Sequence, residues 1–222
     1  MKYKAIIFDL DGVIVNTAHF HYLAWNRLAQ LWGGQITEEQ NEELKGITRM
    51  RSLEIIAAWY HKSLSEQEKI MHARDKNDWY LEYVDMMDES DILPGVKIFL
   101  QELKENKVPV ALASASKNAE RVLKHINLFD FFDVIADGNS VYESKPDPAI
   151  FSFAIKQLGL QPADCVVFED APAGLEAALA IGCTTIGVGQ PDSLIKAHYV
   201  IPDFTHFNLN ALTTILASIK SV

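Results

Sequence analysis

The stretch KAIIFDLDGVIVNTAHFHYLAW, residues 4–25, decides how the rest of the chain is read. Its opening, Lys4 to Leu10, is a continuous β-branched and aromatic run that stops at acids and a glycine, as strands buried on both faces of a parallel sheet do. Asp9 and Asp11 stand two apart at the end of that run, so in an extended chain both carboxylates face one side. Gly12 then allows a sharp turn.

Working outward, short apolar runs recur at Val108–Ala113, Asp133–Ala136, Cys165–Phe168, Thr184–Val188 and His198–Ile201. They alternate with helical patterns such as Gly95–Glu105 and Pro172–Ile181. This rhythm predicts an α/β fold with a doubly wound parallel sheet, a Rossmann-like core. One segment breaks it. Residues 17–91 read as four helices without a strand, too long for a crossover, and they hold all four tryptophans and the pair Met86 and Met87. These are expected to form the core of a helical insert. The expected division is therefore a core of residues 1–16 and 92–222 and a helical unit of residues 17–91, with Pro94 and Gly95 marking the return.

The chain has 222 residues, enough for such a core and a smaller insert. Its net charge of −10 disfavours a nucleic-acid partner. No run approaches the roughly 18 apolar residues of a membrane span, and the first residues lack the pattern of a signal peptide. Cys165 and Cys183 show no metal or disulfide spacing. A cytoplasmic protein acting on a small anion is the expectation, its lysines and arginines gathered in one cleft.

Ligands of doubly wound sheets bind beyond the carboxyl ends of the strands. Those ends carry Asp9 and Asp11, then Ser114 in SASKN (residues 114–118), then Lys145 in ESKPDP, then Glu169 and Asp170 in FEDAPAG. Together they make a kit for phosphoryl transfer. Clustered carboxylates repel one another, and one magnesium ion held by Asp9, Asp170, Glu169 and the backbone carbonyl of Asp11 would relieve that. Lys145 and the Ser114 hydroxyl would hold the phosphate, Asp9 would attack it, and Asp11 would exchange the proton. Each of the four pieces has a plainer alternative: Asp9 and Asp11 as caps of the next turn or helix, Ser114 or Ser116 as the cap of a helix beginning near Lys117, Lys145 as a solvated loop lysine with Asp147 as a cap, and Glu169 and Asp170 as helix-dipole acids. All four would have to coincide at the ligand-binding end of the sheet.

On DLDGV, Ser114, the lysine of SKPDP and the acidic pair of FEDAPAG, the chain resembles the haloacid dehalogenase superfamily over essentially its whole length. The resemblance implies an Asp9 nucleophile, an Asp11 acid/base, one magnesium ion and a helical cap that closes over the site. The strings DGVIVNTAHFHYLAW, LKGITRMRSL, RDKND and LASASKN look most like the branch that interconverts β-glucose 1-phosphate and glucose 6-phosphate. That branch uses glucose 1,6-bisphosphate as primer and intermediate. Carried over, Thr17 and His21 would lie near the cap hinge, Trp25 would belong to the substrate site, and Arg49 would hold the distal phosphate. Lys45, Gly46, Ser52 and Lys76 would line the cap side, while Ala115, Ser116, Lys117 and Asn118 complete the sugar and second-phosphate site. A monomer acting on a hexose phosphate is expected. Asn16 and Ala171 depart from the pattern, where an aspartate and a serine are frequent, and put fine specificity in doubt. The nearest rival is a sugar-phosphate phosphatase; a signalling receiver module is disfavoured by the long insert.

Overall fold

Six parallel strands form one sheet in the order β3-β2-β1-β4-β5-β6. In chain order they are β1 (Ala5–Phe8), β2 (Val110–Ala113), β3 (Val134–Ala136), β4 (Cys165–Glu169), β5 (Thr184–Val188) and β6 (Tyr199–Ile201). The structure is a computed structural model that describes residues 3–44 and 47–219. The chain steps from β1 through β2 to β3 in one direction and from β4 to β6 in the other. The switch therefore falls between β1 and β4, where a crevice opens beyond the strand ends.

Alternation along β1 sends Ile6 and Phe8 to one face and Ala5 and Ile7 to the other. Both faces are covered. On the first, Phe8 stacks on its register partner Phe168 at 5.2 Å, and Phe99, Phe204 and Phe207 complete an aromatic cluster. Helices α5 (Val96–Glu105), α6 (Ala119–His125) and α9 (Leu209–Ile219) supply this layer. On the second face, α7 (Ala149–Leu158) and α8 (Pro172–Ala180) pack through Ile150, Phe151, Ala177 and Ala178. Cys165 and Cys183 are buried there as free thiols. Burial on both sides explains why these strands read as continuous apolar runs.

Among the described residues, four α-helices lie between β1 and α5: α1 (Ala18–Leu31), α2 (Glu38–Glu42), α3 (Arg49–Trp59) and α4 (Glu66–Val84). They have a core of their own, built from Trp25, Leu28, Leu53, Ile56 and Ala73, with Trp32, Trp59 and Trp79 packed against it. Ser65 starts α4 with a capping box closed by Glu68, which satisfies two backbone donors that a helix start leaves unpaired. The methionine pair corrects one expectation. Met86 is 72 % exposed, and Met87 packs against the sheet-side core rather than the helical one. Both lie past the end of α4, where its apolar face no longer dictates burial.

The two chain crossings between the helical layer and the sheet are tied together. The Leu93 N–H donates to the Ile14 carbonyl at 2.9 Å, and Val15 forms an antiparallel bridge with Ile92. No helix among the described residues is long and apolar enough to cross a membrane.

Candidate active site

Asp9 follows β1 directly, and its N–H donates to the Phe168 carbonyl at 3.0 Å, fixing it beside the end of β4. Into this position reaches Lys145, from the loop between β3 and α7. Its Nζ donates to Asp9 Oδ1 at 2.5 Å, to Glu169 Oε2 at 2.8 Å and to the Ala113 carbonyl at 3.1 Å. All three side chains are buried. Burial alone would discharge the lysine, but the Asp9 and Glu169 carboxylates outweigh it and hold its pKa above the ordinary value. Burial, with Asp9 adding to it, pushes Glu169 up to about 7.

Asp9, Glu169 and Asp170 each offer a carboxylate oxygen within 4.8 Å of the other two. Three acids against one lysine leave an excess of negative charge suited to a hard dication with oxygen ligands. The surrounding backbone makes room for these groups: a Cβ on Gly12 would collide with the Asp170 carboxylate, and one on Gly174 with that of Glu169. Gly12 also holds φ at +87°, which its lack of a side chain permits. These residues fit magnesium. Glu169 has both oxygens engaged, by Lys145 and by the Ala171 N–H at 3.2 Å.

The Asp11 carboxylate is not in that group. It accepts a hydrogen bond from the Thr17 hydroxyl, and His21 Nε2 stands 3.9 Å away. Burial first and the charge of Asp9 second push its pKa up to about 6, so it holds and releases a proton near neutrality.

Above this end stands the helical layer. Lys76 is only 2 % exposed; its Nζ lies 2.7 Å from His21 Nδ1 and over the rings of Trp25 and Tyr80 at 4.7 and 4.8 Å. Burial, then the cations Lys76 and Arg49, push His21 well below its ordinary 6.5, which favours the neutral ring beside the lysine. Burial and then Arg49 likewise push Lys76 well below 10.5. Folding stability from this group therefore rises with pH between the lowered value and 10.5, where the unfolded chain keeps a proton the folded chain has released. Lys76→Met removes the desolvation cost and keeps the volume. It is expected to stabilise the protein by about 1 kcal/mol at pH 7, with the gap closing towards pH 10 in urea denaturation. A variant less stable than the parent at pH 7 would contradict this.

The SASKN loop forms the core-side wall. Ser114 Oγ accepts from the Ser116 N–H at 3.1 Å and Ser116 Oγ from the Asn118 N–H at 3.2 Å, so the serines fold the loop. Helix α6 begins at Ala119, two residues after Lys117, but without the side-chain cap that Ser114 or Ser116 would have supplied. The Asp147 alternative holds, since its carboxylate accepts from the Ala149 N–H at 2.9 Å.

Between the two layers lies a cavity of about 700 Å³. Of the residues expected from sequence, Asp9, Asp11, His21, Trp25, Arg49, Ser52, Lys76, Ala115, Ser116, Lys117 and Asn118 line it. Lys145, Glu169, Ser114 and Thr17 are buried around the same strand ends, and Asp170 adjoins Glu169. Lys45 and Gly46 lie outside the described residues. Sequence reasoning missed Asn77, Tyr80 and Asn139, which also line the cavity. Asn77 Oδ1 accepts from Asn118 Nδ2 at 2.8 Å, a bond between the two layers. Tyr80 stands one helical turn after Lys76, a spacing that carried the signal.

Fold and strand-end site together define a class, and the chain belongs to it: residues 3–182 match the sequence model of the haloacid dehalogenase-like hydrolases, and the protein is an enzyme of that family. Among its relatives is the β-phosphoglucomutase of Bacillus subtilis, 37% identical over 94% of this chain and 93% of that one. A phosphorylated carbohydrates phosphatase of Thermotoga maritima is 31% identical over 82% of this chain and 83% of its own length. The crystal structure of a β-phosphoglucomutase from Clostridium difficile superposes with a TM-score of 0.95 at 39% identity, covering 99% of this chain and 100% of that one.

Proposed function

We propose that the enzyme interconverts β-glucose 1-phosphate and glucose 6-phosphate through glucose 1,6-bisphosphate. The observation that carries this reading is the placing of cations on both walls of one cavity: Lys145 behind Asp9 and Lys117 on the sheet side, Arg49 on the helical side. A mutase must grip a phosphate at each end of the sugar, and a single anion site does not suffice. In this reading residues 17–91 act as a cap over a core of residues 1–16 and 92–222, and its closure keeps water from the reacting centre. In this reading the enzyme works as a monomer.

Asp9 attacks phosphorus as the bond to the sugar oxygen breaks, giving an aspartyl-phosphate. Asp11 delivers its proton to the departing oxygen and takes one from the hydroxyl that attacks in the return step. The Thr17 hydroxyl holds Asp11 for both roles, and Arg49 can grip the distal phosphate bidentately. Magnesium, held by Asp9, Asp170 and Glu169 with the Asp11 carbonyl, would neutralise charge on the transferring phosphoryl group.

Phosphorus NMR of β-glucose 1-phosphate with magnesium tests the reading, with and without catalytic glucose 1,6-bisphosphate. Primer-dependent appearance of glucose 6-phosphate is expected. The likeness to the Thermotoga phosphatase supports a second reading, in which water resolves the aspartyl-phosphate. Accumulation of inorganic phosphate, indifferent to primer, would favour it and overturn the first.

A further inference from the structure

The loop after β3 folds back onto the SASKN loop. Asp137 organises it: its carboxylate accepts from the Asn139 N–H at 2.9 Å, from Asn139 Nδ2 at 2.9 Å and from Ser140 Oγ at 3.2 Å. The Asp137 N–H in turn donates to Ser140 Oγ at 3.1 Å. So braced, the loop makes two bonds to its neighbour. The Gly138 N–H donates to the Ser116 carbonyl at 3.1 Å, and Asn139 Nδ2 donates to the Lys117 carbonyl, also at 3.1 Å. Gly138 has no side chain to keep the two loops apart. A Cβ there would stand 2.5 Å from the Ala115 carbonyl oxygen and 2.9 Å from Lys117 Cγ.

Lys117 is thus held at its carbonyl, Gly138 leaves room for the base of its exposed side chain, and Lys117, Gly138 and Asn139 all line the cavity. A lysine is a flexible point charge, so an anion that meets one whose backbone is already fixed has less freedom to remove on binding. We infer that Asn139, supported by Gly138, is the positioning residue for Lys117, and through it sets where the non-reacting phosphate of a sugar bisphosphate is held. The inference rests on the second-phosphate reading of the cavity given above. None of the bonds involves Asp9, Lys145 or Glu169, so transfer from a donor with a single phosphate does not depend on the clamp.

Two readouts separate the roles. Binding of glucose 1,6-bisphosphate is measured by calorimetry in an Asp9→Asn background, and Asp9-dependent hydrolysis of acetyl phosphate in the presence of magnesium with Asp9 intact. Asn139→Ala is expected to weaken bisphosphate binding about fivefold, the scale of one lost hydrogen bond, and to leave acetyl phosphate turnover within about twofold. Gly138→Ala, which displaces the loop without removing a polar group, is expected to act in the same direction. Unchanged bisphosphate binding in Asn139→Ala, or an equal loss in both readouts, would overturn the inference. Lys117→Ala distinguishes the two levels. If it weakens bisphosphate binding while Asn139→Ala does not, the clamp alone fails; if Lys117→Ala is itself silent, the second-phosphate reading fails and the clamp with it.

Discussion

Asp9→Asn is expected to abolish turnover, by on the order of 10⁴-fold or more, while the protein remains folded. The amide is nearly the same size but is a poor nucleophile towards phosphorus. The nearby acids cannot replace it: Asp11 is turned to Thr17, and Glu169 has both oxygens engaged. Folding should survive because Lys145 keeps its bonds to Glu169 at 2.8 Å and to the Ala113 carbonyl at 3.1 Å. Intact mass spectrometry after incubation with acetyl phosphate checks the chemistry directly, since only the parent can gain a phosphoryl group on this residue. Residual turnover within about tenfold of the parent would remove Asp9 from the nucleophile's role.

Lys145→Met is expected to show the second large effect, and on stability as well as rate. The substitution leaves Asp9 and Glu169 facing one another, buried, without the cation that both now share. Removing one partner of a buried ionic group costs about 3–5 kcal/mol, because the charge that stays behind is unpaired. In urea denaturation the variant should lose about that much in chelator, and magnesium should restore part of it by standing in for the missing charge. The rate should fall about 10²-fold or more even with magnesium, since the ammonium no longer faces the charge that develops on the phosphoryl group. A variant as stable as the parent in chelator would show that the carboxylates do not need the lysine.

Much of this arrangement was legible in the chain itself, for identifiable reasons. Ala5–Phe8 and Cys165–Glu169 stand at the centre of a parallel sheet, so nothing polar interrupts them and their ends are easy to see. Asp9, Lys145 and Glu169 are distant in sequence, yet each stands at or beyond the carboxyl end of a strand, and a parallel sheet brings such positions to one edge. Other features depend on orientation, which has no local signature. That Asp11 turns to Thr17 rather than joining the acid group is set by the turn at Gly12. Asn139 looks like any turn asparagine until the loops of β2 and β3 are set side by side. Met86 reads as core by its type and lies exposed because α4 has already ended.

The central place of β1 has a consequence for how the molecule comes into being on the ribosome. The strand made first must wait for both its neighbours: Ile6 meets Val110 on one side and Val166 on the other, when most of the chain has been synthesised. The helices that follow it are better placed, because the residues of their core all lie between β1 and β2 and can collapse among themselves as they emerge. A nascent chain therefore carries a folded helical segment behind an apolar strand with unpaired edges. That interval, rather than anything in the finished enzyme, is when it is most exposed to aggregation and most in need of a chaperone.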